Sequence, residues 1–243
     1  MAEIYDRTRM LVGDAGMEKL QNAHVFIAGI GGVGSFTAEA LARAGVGTLT
    51  LLDNDTVDIT NLNRQIHATQ KTVGRPKVEV MAERIREINP EIQVHTINAF
   101  LLDDNTESVL GDGGYDYIVD AVDTVTAKLS LILYARERNI PVISSMGTAN
   151  KLDATKFEVV DISKTHTCPL ARVMRKELRD RGVISGVEVL YSTALPVKIQ
   201  TAADAEDGER KKPVPASISY VPSVAGLLLA GHVIQQLLAA NSR

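Results

Sequence analysis

Short apolar runs alternate along this chain with longer stretches in which apolar residues recur every three or four positions. The runs His24 to Ala28, Thr48 to Leu52, Gln93 to Asn98, Tyr117 to Ala121 and Pro141 to Ser145 have strand length. Between them, Ser35 to Ala44 carries Phe36, Ala40 and Ala44 on one helical face, and Lys77 to Asn89 carries Val78, Met81, Ile85 and Ile88 before Pro90 closes it. Thr124 to Arg138 reads as a further helix. Strand and helix in alternation predict an α/β fold, a doubly wound, mainly parallel sheet with helices on both faces.

Beyond Gly147 the rhythm changes. Lys156 to Asp161 and Val187 to Ser192 read as strands, Pro169 to Arg181 as a charged helix, and Gln200 to Lys212 as a polar loop. We read residues 1–150 as one α/β unit and 151–243 as a C-terminal α/β extension continuing the same domain. No repeat of fixed period is present. Val221 to Ala240 is apolar over nearly a bilayer's length, yet Gly226, Gly231, His232, Gln235 and Gln236 interrupt it. A buried helix or a subunit interface is therefore the preferred reading, and membrane contact is disfavoured.

The strongest local signal is the turn Gly29-Ile30-Gly31-Gly32-Val33-Gly34, lying between the first strand and the first predicted helix. Gly29 permits the tight turn, Gly31 lets backbone amides approach a phosphate, and Gly34 lets helix pack closely on strand, in a Rossmann-like arrangement. Asp53 follows the second strand about twenty residues later, where a carboxylate accepts the ribose hydroxyls of an adenosine. A purely structural glycine turn explains the glycines; it does not explain the acid. The combination predicts a bound adenine nucleotide.

Composition narrows the setting. With 243 residues, 45% of them hydrophobic, the chain can build a substantial core, and its net charge of -4 excludes a generally basic nucleic-acid coat while permitting a local patch. Met1 to Met10 lacks a signal-like apolar core, and the lone Cys168 cannot form an internal disulfide, so a cytoplasmic location is expected.

Downstream of the glycines the residues exceed what a hydride-transfer enzyme requires. Asn61, Arg64 and Lys77 lie in the segments that leave Asp53, where two cations and an amide can converge on a triphosphate and stabilise transfer at its α-phosphorus. A solvated charged loop is the plainer alternative. Asp123, after the strand that ends near Ala121, suits magnesium through its hard oxygens or caps the helix that begins at Thr124. Asp120 is more buried by pattern and a weaker candidate.

The motifs GIGGVG, DNDTVDITNLNRQ, GRPK and DAVDT, in this order, resemble the ThiF-like adenylating superfamily, related to ubiquitin-activating enzymes and to activators of sulfur-carrier proteins. The resemblance covers about residues 5–160. It implies ATP-dependent adenylation of a carboxylate by a homodimer, with ATP held by Gly29, Gly31, Gly32, Gly34, Asp53, Asp55, Asn61, Arg64, Gln65 and Lys77. It places Asp123 near magnesium, and makes Arg64, Lys77 and Asp123 catalytic together with an N-terminal arginine from the partner subunit. Arg7 matches that arginine, although Thr8 stands where the family has glutamine, which leaves Arg9 as a rival.

Sulfur-carrier activators bear C-x-x-C pairs for zinc and an acyl-accepting cysteine; with Cys168 alone, no zinc is expected. A structural or incidental thiol is the favoured reading of Cys168. NRQIHA, DISKT, PLARVMRKELRDRG and YVPSVAGLLLAG make the whole chain similar to the bacterial tRNA threonylcarbamoyladenosine dehydratases. That resemblance implies a modified tRNA as substrate, with room for an accessory protein and no role for DNA; adenylation of a small ubiquitin-like or sulfur-carrier protein is the alternative. On the Pro169 helix, Arg172, Arg175, Lys176 and Arg179 form a basic stripe that can track tRNA phosphates, opposite Leu170, Met174 and Leu178. An ordinary solvated helix face is the competing reading, because Glu177 and Asp180 lie close by. Lys211 and Lys212 are weaker candidates.

Overall fold

The computed structural model describes residues 3–112, 114–199 and 215–240. The strands are β1 (His24–Ala28), β2 (Thr48–Leu52), β3 (Gln93–Ile97), β4 (Tyr117–Asp120), β5 (Val142–Ser145), β6 (Phe157–Asp161) and β7 (Glu188–Ser192). The helices are α1 (Asp6–Asn22), α2 (Gly34–Ala44), α3 (Lys77–Ile88), α4 (Thr106–Leu110), α5 (Val125–Glu137), α6 (Pro169–Asp180) and α7 (Tyr220–Ala239). The strands join in one sheet of order β3-β2-β1-β4-β5-β7-β6, parallel throughout except for the antiparallel β6–β7 pair at one edge. The sheet is thus the doubly wound, mainly parallel one that the alternation predicts. The stretch from Gln200 to Lys212, with Lys211 and Lys212, falls outside the described residues.

The period of two along β1 decides which side chain serves which face. Val25 and Ile27 point into a core shared with Leu41, Met81 and Leu229 from α2, α3 and α7, whereas Phe26 and Ala28 join Ile118, Leu131 and Leu110 on the face covered by α4 and α5. A third cluster, with Ile132, Met174, Leu178 and Tyr191, seats α6 beside α5. Residues 157–192 supply the last two strands of the same sheet.

Two helices go beyond the sequence reading. In α1 only Gly16, Met17 and Leu20 are buried, Met10 and Leu11 are exposed, and Gly13 breaks the helical path at φ 74°. Its apolar stripe is too thin to announce a helix. The five-residue α4 is shorter than any helical period can reveal. α7 is long and apolar enough to cross a bilayer, but Val221, Ala225, Leu229, Ala230, Val233 and Leu237 are buried, while Leu227 and Leu228 are exposed. One face therefore serves the core. Gly226 sits so close to α2 that a methyl group there would lie 2.3 Å from the Val33 carbonyl oxygen, and Thr37 Oγ1 donates to the Gly226 carbonyl at 3.0 Å.

Candidate active site

β1 pairs with β2 on one side and β4 on the other, so the chain reverses its direction of travel across the sheet at β1. Ala28 is in register with Leu52 and with Asp120, which is itself opposite Ser144, and four strand ends consequently open onto one crevice. A cavity of about 580 Å³ occupies it. Its wall includes Gly29, Gly31, Gly32, Asp53, Asp55, Asn61, Arg64, Gln65, Lys77 and Asp123.

The glycine turn forms one wall because its backbone admits no side chain where helix meets strand. Gly29 has φ 85°, and a methyl group on Gly34 would lie 1.8 Å from the Gly29 carbonyl oxygen. Gly34 is buried as the first residue of α2 and does not itself line the cavity. Val33 is the N-cap of α2, and among the described residues no side chain caps that end. Ser35 N–H bonds the Gly31 carbonyl at 3.1 Å, and the amides of Gly34 and Phe36, with the positive end of the helix dipole, suit an anion.

Asp53 is fixed by backbone donors: Ile30 N–H reaches Oδ2 at 2.6 Å and Asp55 N–H reaches Oδ1 at 2.8 Å. Burial raises its carboxyl pKa above the ordinary value, opposed by the nearby Lys77 ammonium and by these two amides. Lys77 enters the site by chain geometry. Val57 N–H bonds the Arg75 carbonyl, Gly74 N–H bonds the Val57 carbonyl, and Lys77 N–H bonds the Asp55 carbonyl, which stitch the Gly74 to Lys77 turn onto the segment after β2. The buried Lys77 Nζ then donates to Asp55 Oδ2 at 2.7 Å.

Asn61 ends a short 3-10 turn in which Asp58 N–H bonds Asn61 Oδ1 at 3.1 Å and Thr60 N–H bonds Asp58 Oδ1 at 2.8 Å. Arg64 is half-buried, its guanidinium held by the Thr60 carbonyl at 2.9 Å and by Asn63 Oδ1 at 2.8 Å. Gln65 is buried, and its Oε1 has no partner among the described residues. His67, also buried, has neither ring nitrogen bonded among those residues; desolvation, with the charges of Lys77 and Arg84, lowers its pKa to about 4.

Asp123 is exposed at the cavity wall. The N-cap position of α5 belongs to Thr124, without a side-chain capping bond, so the structure corrects the reading of Asp123 as a helix cap. Asp120 is fully buried and paired with Lys128.

Several wall residues had no sequence signal of their own. Leu52, Ala99, Leu101, Val122 and Ala127 supply apolar surface of the kind that takes a purine, with the half-exposed Phe100 beside them. Ser145 to Ala149, Leu170, Pro215, Ser217 and Pro222 complete the opposite side. Only the rule that ligands gather at strand ends would have pointed to the loops after β3 and β5.

The α6 stripe is divided by the structure. Arg172, Lys176 and Arg179 are exposed, whereas Arg175 is half-buried and donates to the Thr165 carbonyl at 2.9 Å and to Thr165 Oγ1. One guanidinium nitrogen of Arg175 therefore anchors the turn before the helix, which sets it apart from the other three. Met174 and Leu178 face the core as expected, joined by Ala171, while Leu170 reaches the cavity rim. Cys168 is buried in the third core cluster, as a packing residue would be. Arg7 is exposed on α1 and is not part of this cavity; Arg9 is engaged with Glu3 at 3.5 Å and Asp14 at 3.3 Å.

The tRNA threonylcarbamoyladenosine dehydratase of Bacillus subtilis is similar to this chain, 47% identical over 244 residues, covering 98% of this chain and 96% of that protein. The crystal structure of E. coli tRNA N6-threonylcarbamoyladenosine dehydratase in complex with ATP matches at a TM-score of 0.86 and 37% identity, covering 97% of this chain and 93% of that one. The same E. coli enzyme in complex with AMP matches at a TM-score of 0.86 and 36% identity, covering 98% of each chain. A model of the ThiF family matches residues 5–243, taking in the glycine turn, the Asn61 to Lys77 segments and α7 alike, and the chain belongs to that family.

Proposed function

We propose that the protein is an ATP-dependent tRNA threonylcarbamoyladenosine dehydratase, an AMP-forming ligase-type enzyme acting as a cytoplasmic homodimer. One observation carries the reading: an uncapped helix N-terminus, the amide-anchored Asp53 and the buried Lys77 meet in a single cavity, in a chain similar from end to end to proteins named for this activity. Asp53 receives the ribose, the apolar recess by Leu101 and Ala127 receives adenine, and the amides of α2 with Asn61, Arg64, Gln65 and Lys77 receive the phosphates.

The carboxylate of the threonylcarbamoyl group attacks the α-phosphorus, and pyrophosphate leaves. Arg64 and Lys77 offset the charge that grows on the phosphoryl oxygens. A nucleophile of the same modified side chain then displaces AMP, which carries away the carboxylate oxygen; this intramolecular closure requires no enzyme thiol. Magnesium fits the donor set, because that ion uses one or two carboxylates together with phosphate oxygens and water, and Asp123 offers an exposed carboxylate at the cavity wall. When bound it neutralises phosphate charge. Arg7, outside its own subunit's cavity, reaches the partner's site, and residues 151–243 act as a continuation of one domain. The α6 face of Arg172, Lys176 and Arg179, which starts beside the rim residue Leu170, tracks tRNA phosphates.

Incubation of the protein with ATP, magnesium and tRNA bearing threonylcarbamoyladenosine, followed by nucleoside mass spectrometry, is expected to show loss of one water from the modified adenosine. An unchanged mass, with adenylation only of a small carrier protein offered in parallel, would transfer the site to carrier activation.

A further inference from the structure

A lysine in the middle of α5 lies out of reach of solvent. Lys128 and Asp120 are each 0% exposed, in contact at 3.1 Å, and neither lines the cavity. Lys128 Nζ donates to Asp120 Oδ1 at 3.2 Å and to the Ser145 carbonyl at 2.6 Å, and lies 3.4 Å from Ser144 Oγ. Ser144 Oγ in turn donates to Asp120 Oδ2, while Asp120 Oδ1 accepts from the Val122 N–H at 3.2 Å. Every bond of this cluster ends on one of two strand termini. Val122 opens the segment that carries Asp123, and Ser145 opens the segment from Met146 to Ala149; both segments line the cavity.

For stability alone such a pair is a poor device, since well-packed apolar residues of similar volume do as well or better. Apolar residues would hold neither the Ser145 carbonyl nor the Val122 amide. We propose that Lys128, through Asp120, is a positioning residue that locks the Asp123 segment to the Met146–Ala149 segment, setting these two walls of the site at a fixed distance. This rests on the dehydratase reading. Lys128 touches no reacting atom; it acts by fixing the walls, and misplacement of a wall by about 1 Å lowers turnover on the order of 100-fold.

The test compares the full-length protein with the D120N/K128M double variant, which removes both charges and leaves neither buried alone, and with S144A, which takes one hydroxyl from the cluster. ATP affinity, kcat, KM for ATP and amide exchange are measured on each. In the double variant, ATP affinity and KM are expected to stay within about threefold of wild type while kcat falls on the order of 100-fold. Exchange at Val122 and across Met146 to Ala149 rises, and that of Phe26 and Ile27 in β1 does not. S144A shows the same split, with kcat lowered about tenfold, and decides the matter if the double variant fails to fold. A kcat within twofold of wild type in a folded variant, or unchanged exchange in both segments, overturns the proposal. If wild type itself leaves the nucleoside mass unchanged, the dehydratase reading fails, and the exchange data alone still decide whether the lock exists.

Discussion

At Gly34 a methyl group would lie 1.8 Å from the Gly29 carbonyl oxygen, whereas at Gly31 the nearest neighbour would be Gln65 Nε2 at 3.9 Å. The two glycines should fail in different ways when changed to alanine. Gly34→Ala is expected to lower the melting temperature and ATP binding together. Gly31→Ala should melt near wild type yet bind ATP at least about tenfold more weakly, since its methyl occupies space needed by phosphate; calorimetric titration beside thermal melting separates them, and equal losses of stability would contradict the assignment. His67 gives a pH signature. Its folded pKa of about 4 lies below the unfolded value of 6.5, so the folded state binds fewer protons. The resulting stability is fully present above about pH 6.5 and lost as pH falls toward 4, on the order of 3 kcal/mol. Urea denaturation at pH 7.5 and 4.5 should show a smaller acid loss in His67→Phe than in wild type.

Among the elements, α6 shows how far a one-dimensional pattern reaches. Its spacing separates Met174 and Leu178 from the basic face, but the spacing treats Arg172 and Arg175 as equals, and only the turn at Thr165 distinguishes them. Replacing Arg172, Lys176 or Arg179 by alanine is expected to weaken tRNA binding and reduce its salt dependence by about one unit of log slope each. Arg175→Ala should instead destabilise the fold by about 1 to 2 kcal/mol through its lost bonds to Thr165 and leave the slope unchanged. Filter binding over a salt series, with melting of each variant, checks both. The same limit explains what else was legible. The central strands announced themselves as apolar runs between turn residues, and the glycine turn, Asn61, Arg64, Lys77 and Asp123 by motif. Lys128 sits in a helical pattern where a lysine reads as solvated; its burial depends on Asp120 and Ser145, brought together by strand order. Ala99 to Leu101 carry no motif, because an apolar recess needs only size and position.

For the whole molecule, the decisive question is whether the proposed homodimer shares its sites between subunits. Arg7→Ala and Lys77→Ala, each inactive by itself, should on mixing and re-equilibration regain about a quarter of wild-type turnover, because half of the dimers pair unlike chains and each of these has one complete site. No recovery despite proven exchange would place Arg7 outside catalysis. A last consequence follows from the seating of α7 against α2, where Gly226 meets Val33 and Thr37. The helix whose N-terminus opens on the cavity is clasped by the last helix in the order of the described elements. During synthesis on the ribosome, the glycine turn awaits its clasp until nearly two hundred more residues have followed. Nucleotide capture is therefore expected late in the life of the nascent chain, and stalled products that end before α7 should leave the ATP pool untouched.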